Sequence, residues 1–146
     1  PSDLQDTWEW DGSEWVEVVP AVKPSARNGH AMAYHAANQR VVLFGGYDSK
    51  CRNDTWIYDG NEWTEISTAV RPPERNYHGM VYDPIANRML LFGGVNNGTV
   101  FLGDTWELRN AEWLELNPSC APSARCCLGL SYSALAEEMV LFGGSG

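Results

Sequence analysis

Between Pro24 and Ser67, short apolar runs alternate with polar breaks. HAMAY, RVVLF, DTWIY and EWTEI are five residues each, too short for a typical helix and without its three-four spacing. Four short strands, A to D, are predicted. A polar loop joins A to B, and the Gly45-Gly46 pair ends B, where positive φ is easiest for glycine. Asp59-Gly60 forms a tight hairpin between C and D. In strand D, Trp63, Thr64, Glu65 and Ile66 point to alternate sides. Helical periodicity is absent along the whole chain.

The unit occurs three times. PSARNGHAMAYHAANQRVVLFGG starts at Pro24, PPERNYHGMVYDPIANRMLLFGG at Pro72 and PSARCCLGLSYSALAEEMVLFGG at Pro122. Arg27, Arg75 and Arg125 each stand 18 residues before the first glycine of the pair. Tyr34, Tyr82 and Tyr132 stand ten before Phe44, Phe92 and Phe142. The other half-unit starts at Asp6, Asp54 and Asp104, with Trp8/Trp15, Trp56/Trp63 and Trp106/Trp113 all seven apart. Three internal copies at one spacing outweigh any single motif.

A four-stranded antiparallel unit of 48–50 residues, repeated, is a β-propeller pattern. The double glycine followed by an aromatic pair around strands C and D resembles the Kelch repeat. The Pro-x-x-Arg, LFGG and Asp-Thr-Trp elements resemble bacterial Kelch and galactose-oxidase-like propellers. A WD repeat fits less well, since its period is about 40–45 residues. The fold class expected is all-β: a Kelch-type β-propeller with three four-stranded blades per chain, a half-propeller. Residues 1–146 form one domain, with CD strands in 4–19, full blades in 24–67 and 72–117, and AB strands in 122–144.

Asp6 to Asp54 is 48 residues, Asp54 to Asp104 is 50, and joining the end to the start makes the last interval 48, summing to 146. A propeller needs about four to eight blades. A half-ring leaves strand edges near 138–143 and 6–10 unpaired. A C2 homodimer in which each AB pair completes the other copy's CD pair closes six blades. The alternative, a piece of a longer chain, stays open.

Charge and cysteine content change this picture little. Nineteen acidic against ten basic side chains give a net charge of −9, which disfavours nucleic-acid binding. No apolar run reaches the roughly 18 residues of a membrane helix, so no membrane partner is expected. Cys51, Cys120, Cys126 and Cys127 do not follow the repeat; they read as small buried hydrophobes, with a disulfide or soft-metal site as the alternative.

Antiparallel order puts the D–A and B–C connections at one end of the blades. In Kelch propellers strand A is innermost, so the resemblance places Arg27, Arg75 and Arg125 at a channel mouth, with Asn76, Tyr77, His30 and His78 beside them. Peptide-binding Kelch domains use arginine at the matching position to grip acidic ligands, and Arg–carboxylate geometry suits that. The competing reading has each Arg brace its own unit through carbonyls or the Asp of Asp-Thr-Trp. His30 and His78 recur but Leu128 replaces the third copy, which favours strand histidines over a metal set. His35 has no counterpart and reads as a turn residue.

The repeating Trp and Tyr read as inter-blade core. Loop aromatics Tyr47, Tyr77 and Phe101 are too few for a carbohydrate platform. Glu14, Glu17, Glu62, Glu65 and Glu115 fall on a solvated outer strand. No serine-hydrolase elbow, zinc-protease helix or P-loop is present. The function expected is a non-catalytic self-assembling binding or scaffold module for an acidic peptide or small anion, with no cofactor. The alternative is a metal-dependent oxidase or lyase at the dimer's channel mouth.

Overall fold

The alternating runs become fourteen strands in a computed structural model that describes residues 2–146. The first hairpin is β1 (Thr7–Trp10) and β2 (Trp15–Val18). A four-stranded antiparallel sheet follows, in order β3 (Ala31–His35), β4 (Arg40–Tyr47), β5 (Cys51–Tyr58) and β6 (Trp63–Ile66). The second four-stranded sheet is β7 (Gly79–Asp83), β8 (Arg88–Phe92), β11 (Thr105–Arg109) and β12 (Glu112–Leu116). A small hairpin, β9 (Val95–Asn96) with β10 (Val100–Phe101), interrupts it. β13 (Gly129–Ser133) and β14 (Glu138–Phe142) form a last two-stranded sheet. Thus the fold is all-β, and among the described residues no sheet closes on itself.

Local chemistry sets the turns. The Asp11 and Asp59 carboxylates each accept two backbone N–H bonds from the residues that follow, which pins both Asp-Gly hairpins. The third copy lacks that aspartate and turns through Asn110 and Ala111 at φ 51° and 62°, a pair of left-handed residues as in a type I′ turn.

Three expectations need correction. Gly-Gly follows the B strand in the last two copies, but β4 continues through Gly45-Gly46 to Tyr47 by a bulge after Phe44. The connection to β5 is short there, and Arg52 Nε donates to Asp48 at 2.7 Å across it, so pairing persists. His35 is no turn residue: it ends β3, is buried, and its ring lies 4.5 Å from that of Tyr82. One turn of 3₁₀ helix, Ala36–Asn38, occupies the loop where no helical pattern was visible.

The core sits between the sheets. Val42 and Phe44 of β4 face Met80, Met89, Leu91 and Trp113. Leu43 points the other way, into a cluster with Tyr58 and Trp63. Burial on both faces explains why the B runs are apolar without alternation. Strand β7 lies beside β3 on one flank and β13 on the other, so the A strands are the line along which successive sheets meet. Trp63, Trp106 and Trp113 are core, but Trp8, Trp10 and Trp15 are exposed, since β1–β2 meets a sheet on one side only.

Candidate functional site

The residues singled out by the repeat gather at the end of the sheets that carries the D–A links and B–C loops. Arg27 enters from the link before β3. Its Nη1 donates to Gly45 O at 2.9 Å and to Asp54 at 2.7 Å, and its Nη2 donates to Asp54 at 2.8 Å. Arg75 repeats this with Gly93 O at 2.9 Å and Asp104 at 2.8 and 2.6 Å. It is 0% exposed. Both guanidiniums are therefore engaged in bidentate pairs that tie the D–A link to strand C, the bracing arrangement. Arg125 is half-buried and donates to Gly143 O and Ser123, with no carboxylate partner among the described residues.

Burial opposes ionisation of Asp54 and Asp104. The guanidinium bonds and the Trp56 and Trp106 indoles outweigh it, holding both carboxyls below the usual range.

His78 lies at the core end of the same segment. Its ring is edge-on to Phe44 at 5.5 Å, and neither ring nitrogen has a hydrogen-bond partner among the described residues. Burial, then the nearby Arg75 and His30 charges, lowers its pKa to about 3, so the ring is neutral at ordinary pH. His30 is half-buried and shifted the same way by burial and Arg27. Asn76 is buried, its backbone paired with Val95 in both directions. Tyr77 is the candidate left open to solvent, at 44% exposure, its hydroxyl donating to Asn28 Oδ1 at 3.3 Å.

Among the described residues no three of His, Cys, Asp and Glu come together as a metal set, and all four cysteines are free thiols. Cys126 and Cys127 bring their sulfurs to 3.3 Å.

Beside the Arg27–Asp54 pair opens a cleft of about 360 Å³, whose lining includes the cations Lys50, Arg52 and Arg71, the carboxylates Glu65 and Glu74, and Trp56. Arg52 is paired with Asp48, whereas Lys50 and Arg71 have no carboxylate in ion-pair reach among the described residues. The repeat did not point to these two, because Lys50 lies in a variable loop. The one available signal was a basic residue before the linker proline in two copies, Lys23 and Arg71.

A family model described as the KLHDC2/KLHL20/DRC7 Kelch-repeats domain matches residues 4–146. The chain belongs to the Kelch-repeat family. The bidentate Arg–Asp brace, the positive-φ glycine pair and the buried Trp of strand D are thus features of its Kelch repeats. No curated protein matches this Kelch chain.

Proposed function

We propose that this chain is a non-catalytic, self-assembling binding module, in which two copies close a six-bladed ring that takes an acidic peptide or small anion. Membership of the Kelch-repeat family supports a protein-binding role. The observation that carries the ligand class is the cleft beside β5, where Lys50 and Arg71 have no carboxylate in ion-pair reach among the described residues. Arg27 contributes by rigidity: fixed in its ion pair with Asp54, it holds the cleft wall in place. Tyr77 supplies open surface nearer the A strands, with the half-buried His30 behind it. The metal-dependent alternative has no observation in its favour.

Trp56 lines the cleft and reports on occupancy. A Glu-rich peptide is titrated against tryptophan fluorescence, with its Gln analogue as control. The acidic peptide is expected to bind, the Gln analogue not to. Lys50→Ala with Arg71→Ala is expected to weaken binding about tenfold or more, and salt to weaken it further. Equal binding of both peptides, or of neither, overturns the ligand assignment.

A further inference from the structure

Cys126 and Cys127 break the repeat and stand together. Asn28-Gly29 and Asn76-Tyr77 hold their places in the first two copies, directly after the repeating arginine. The backbone there is the same in all three copies. Gly29, Tyr77 and Cys127 have φ of 63°, 55° and 58°. Asn28, Asn76 and Cys126 each form a β-bridge, to Tyr47, Val95 and Ser145.

That backbone decides where the two thiols point. In extended chain, consecutive side chains face opposite ways. The positive φ of Cys127 breaks this alternation, and the two sulfurs come to 3.3 Å. A left-handed cysteine persists only where its surroundings fix it. Here Cys127 N donates to Tyr77 O at 2.8 Å, and Cys126 exchanges backbone bonds with Ser145 at 2.8 and 2.9 Å.

The two sulfurs differ in access. Cys126 is buried and Cys127 is open to solvent. The openness belongs to the position: Tyr77 leads into β7, which has β3 and β13 on its flanks, and is still 44% exposed. Burial and the neighbouring Cys127 sulfur push the Cys126 thiol up, so it keeps its proton at neutral pH. Cys51 is buried, and Cys120, though exposed, has no thiol at hydrogen-bond distance among the described residues.

We propose that Cys126-Cys127 is a reversible oxidation site, at which a hydroperoxide joins the adjacent sulfurs in a disulfide. The Cys127 thiolate attacks a peroxide oxygen; the O–O bond breaks, and Cys127 becomes a sulfenic acid. Cys126 Sγ then attacks Cys127 Sγ. The S–S bond forms, the S–O bond breaks, and the oxygen leaves as water with the Cys126 proton. Two thiols and hydrogen peroxide thus give one disulfide and two waters, the sulfurs oxidised and the peroxide reduced. A dithiol reverses the step by exchange. Reversal is easy because adjacent Cα atoms lie about 3.8 Å apart across a trans peptide, inside the roughly 4.4–6.8 Å of an unstrained bridge.

The test treats the full chain with hydrogen peroxide, alkylates remaining thiols with N-ethylmaleimide in urea and maps the peptides by mass. The peptide carrying Cys126 and Cys127 is expected to lose two hydrogens and take up no maleimide. Dithiothreitol is expected to restore both thiols. Cys120→Ser is expected to leave this result unchanged, and Cys127→Ser to abolish it. Two thiols still alkylated after peroxide, a bridge to Cys120 or to a second molecule, or a sulfinic acid that dithiothreitol does not reverse overturns the proposal. The map of the unaltered chain decides this even if a variant fails to fold.

Discussion

Arg75 shows what a single residue does in this repeat. Its guanidinium is fully buried and donates to Pro73 O, Gly93 O and both oxygens of Asp104. A charge that deep is tolerated only because its donors meet acceptors and its partner is anionic. Removing it leaves Asp104 partly buried without its cation. Arg75→Ala is therefore expected to lower stability by about 3–5 kcal/mol in urea unfolding. A loss under 1 kcal/mol would show that the brace is replaceable. The arginine and aspartate were both visible in the repeat. Their pairing was weighed against a ligand role, and spacing alone could not choose between them, because 27 or 29 residues of chain separate the partners.

At the scale of the element, the A strands decide how closely successive sheets approach. Gly79 opens β7, and a Cβ there would stand 2.8 Å from Leu128 Cδ1 and 2.9 Å from Leu130 Cβ. The leucine tip can rotate away, but the Leu130 Cβ is fixed to β13. Gly79→Ala is expected to force β7 and β13 apart and lower the midpoint of unfolding, by about 1–3 kcal/mol of stability. Unchanged stability would mean that the two strands are not held at this distance. The apolar runs and Asp-Gly turns announced most strands. The continuation of β4 through its bulge and the β9–β10 hairpin were not legible, because both depend on how each B–C connection folds back on its own sheet.

For the molecule as a whole, acid acts through groups whose charge state depends on the fold. His78 has its folded pKa lowered to about 3 by burial, with Arg75 and His30 adding to it and Asp104 opposing. The unfolded chain takes up that proton near pH 6.5, so stability present at higher pH is lost as pH falls from there toward 3. The slope expected for one such proton is about 1.4 kcal/mol per pH unit. As pH falls through the ordinary carboxylate range, Asp54 and Asp104 extend the loss, since their folded pKa values are depressed and the unfolded chain protonates first. His78→Leu, the residue type at the third copy, is expected to flatten the branch between pH 6.5 and 4, leaving the smaller contribution of His30. Urea titrations at stepped pH measure it, and an unaltered slope would show that another group is responsible.

The sequence by itself determined the repeat, the strand order within each unit and the family, because these follow from apolar alternation, glycine placement and spacing over units of 48–50 residues. Tertiary structure alone decided which charged groups are paired. Ion pairing depends on side chains brought together across whole sheets. Arg27 and Arg75 therefore turned inward onto Asp54 and Asp104, while Lys50 and Arg71 have no carboxylate in ion-pair reach among the described residues.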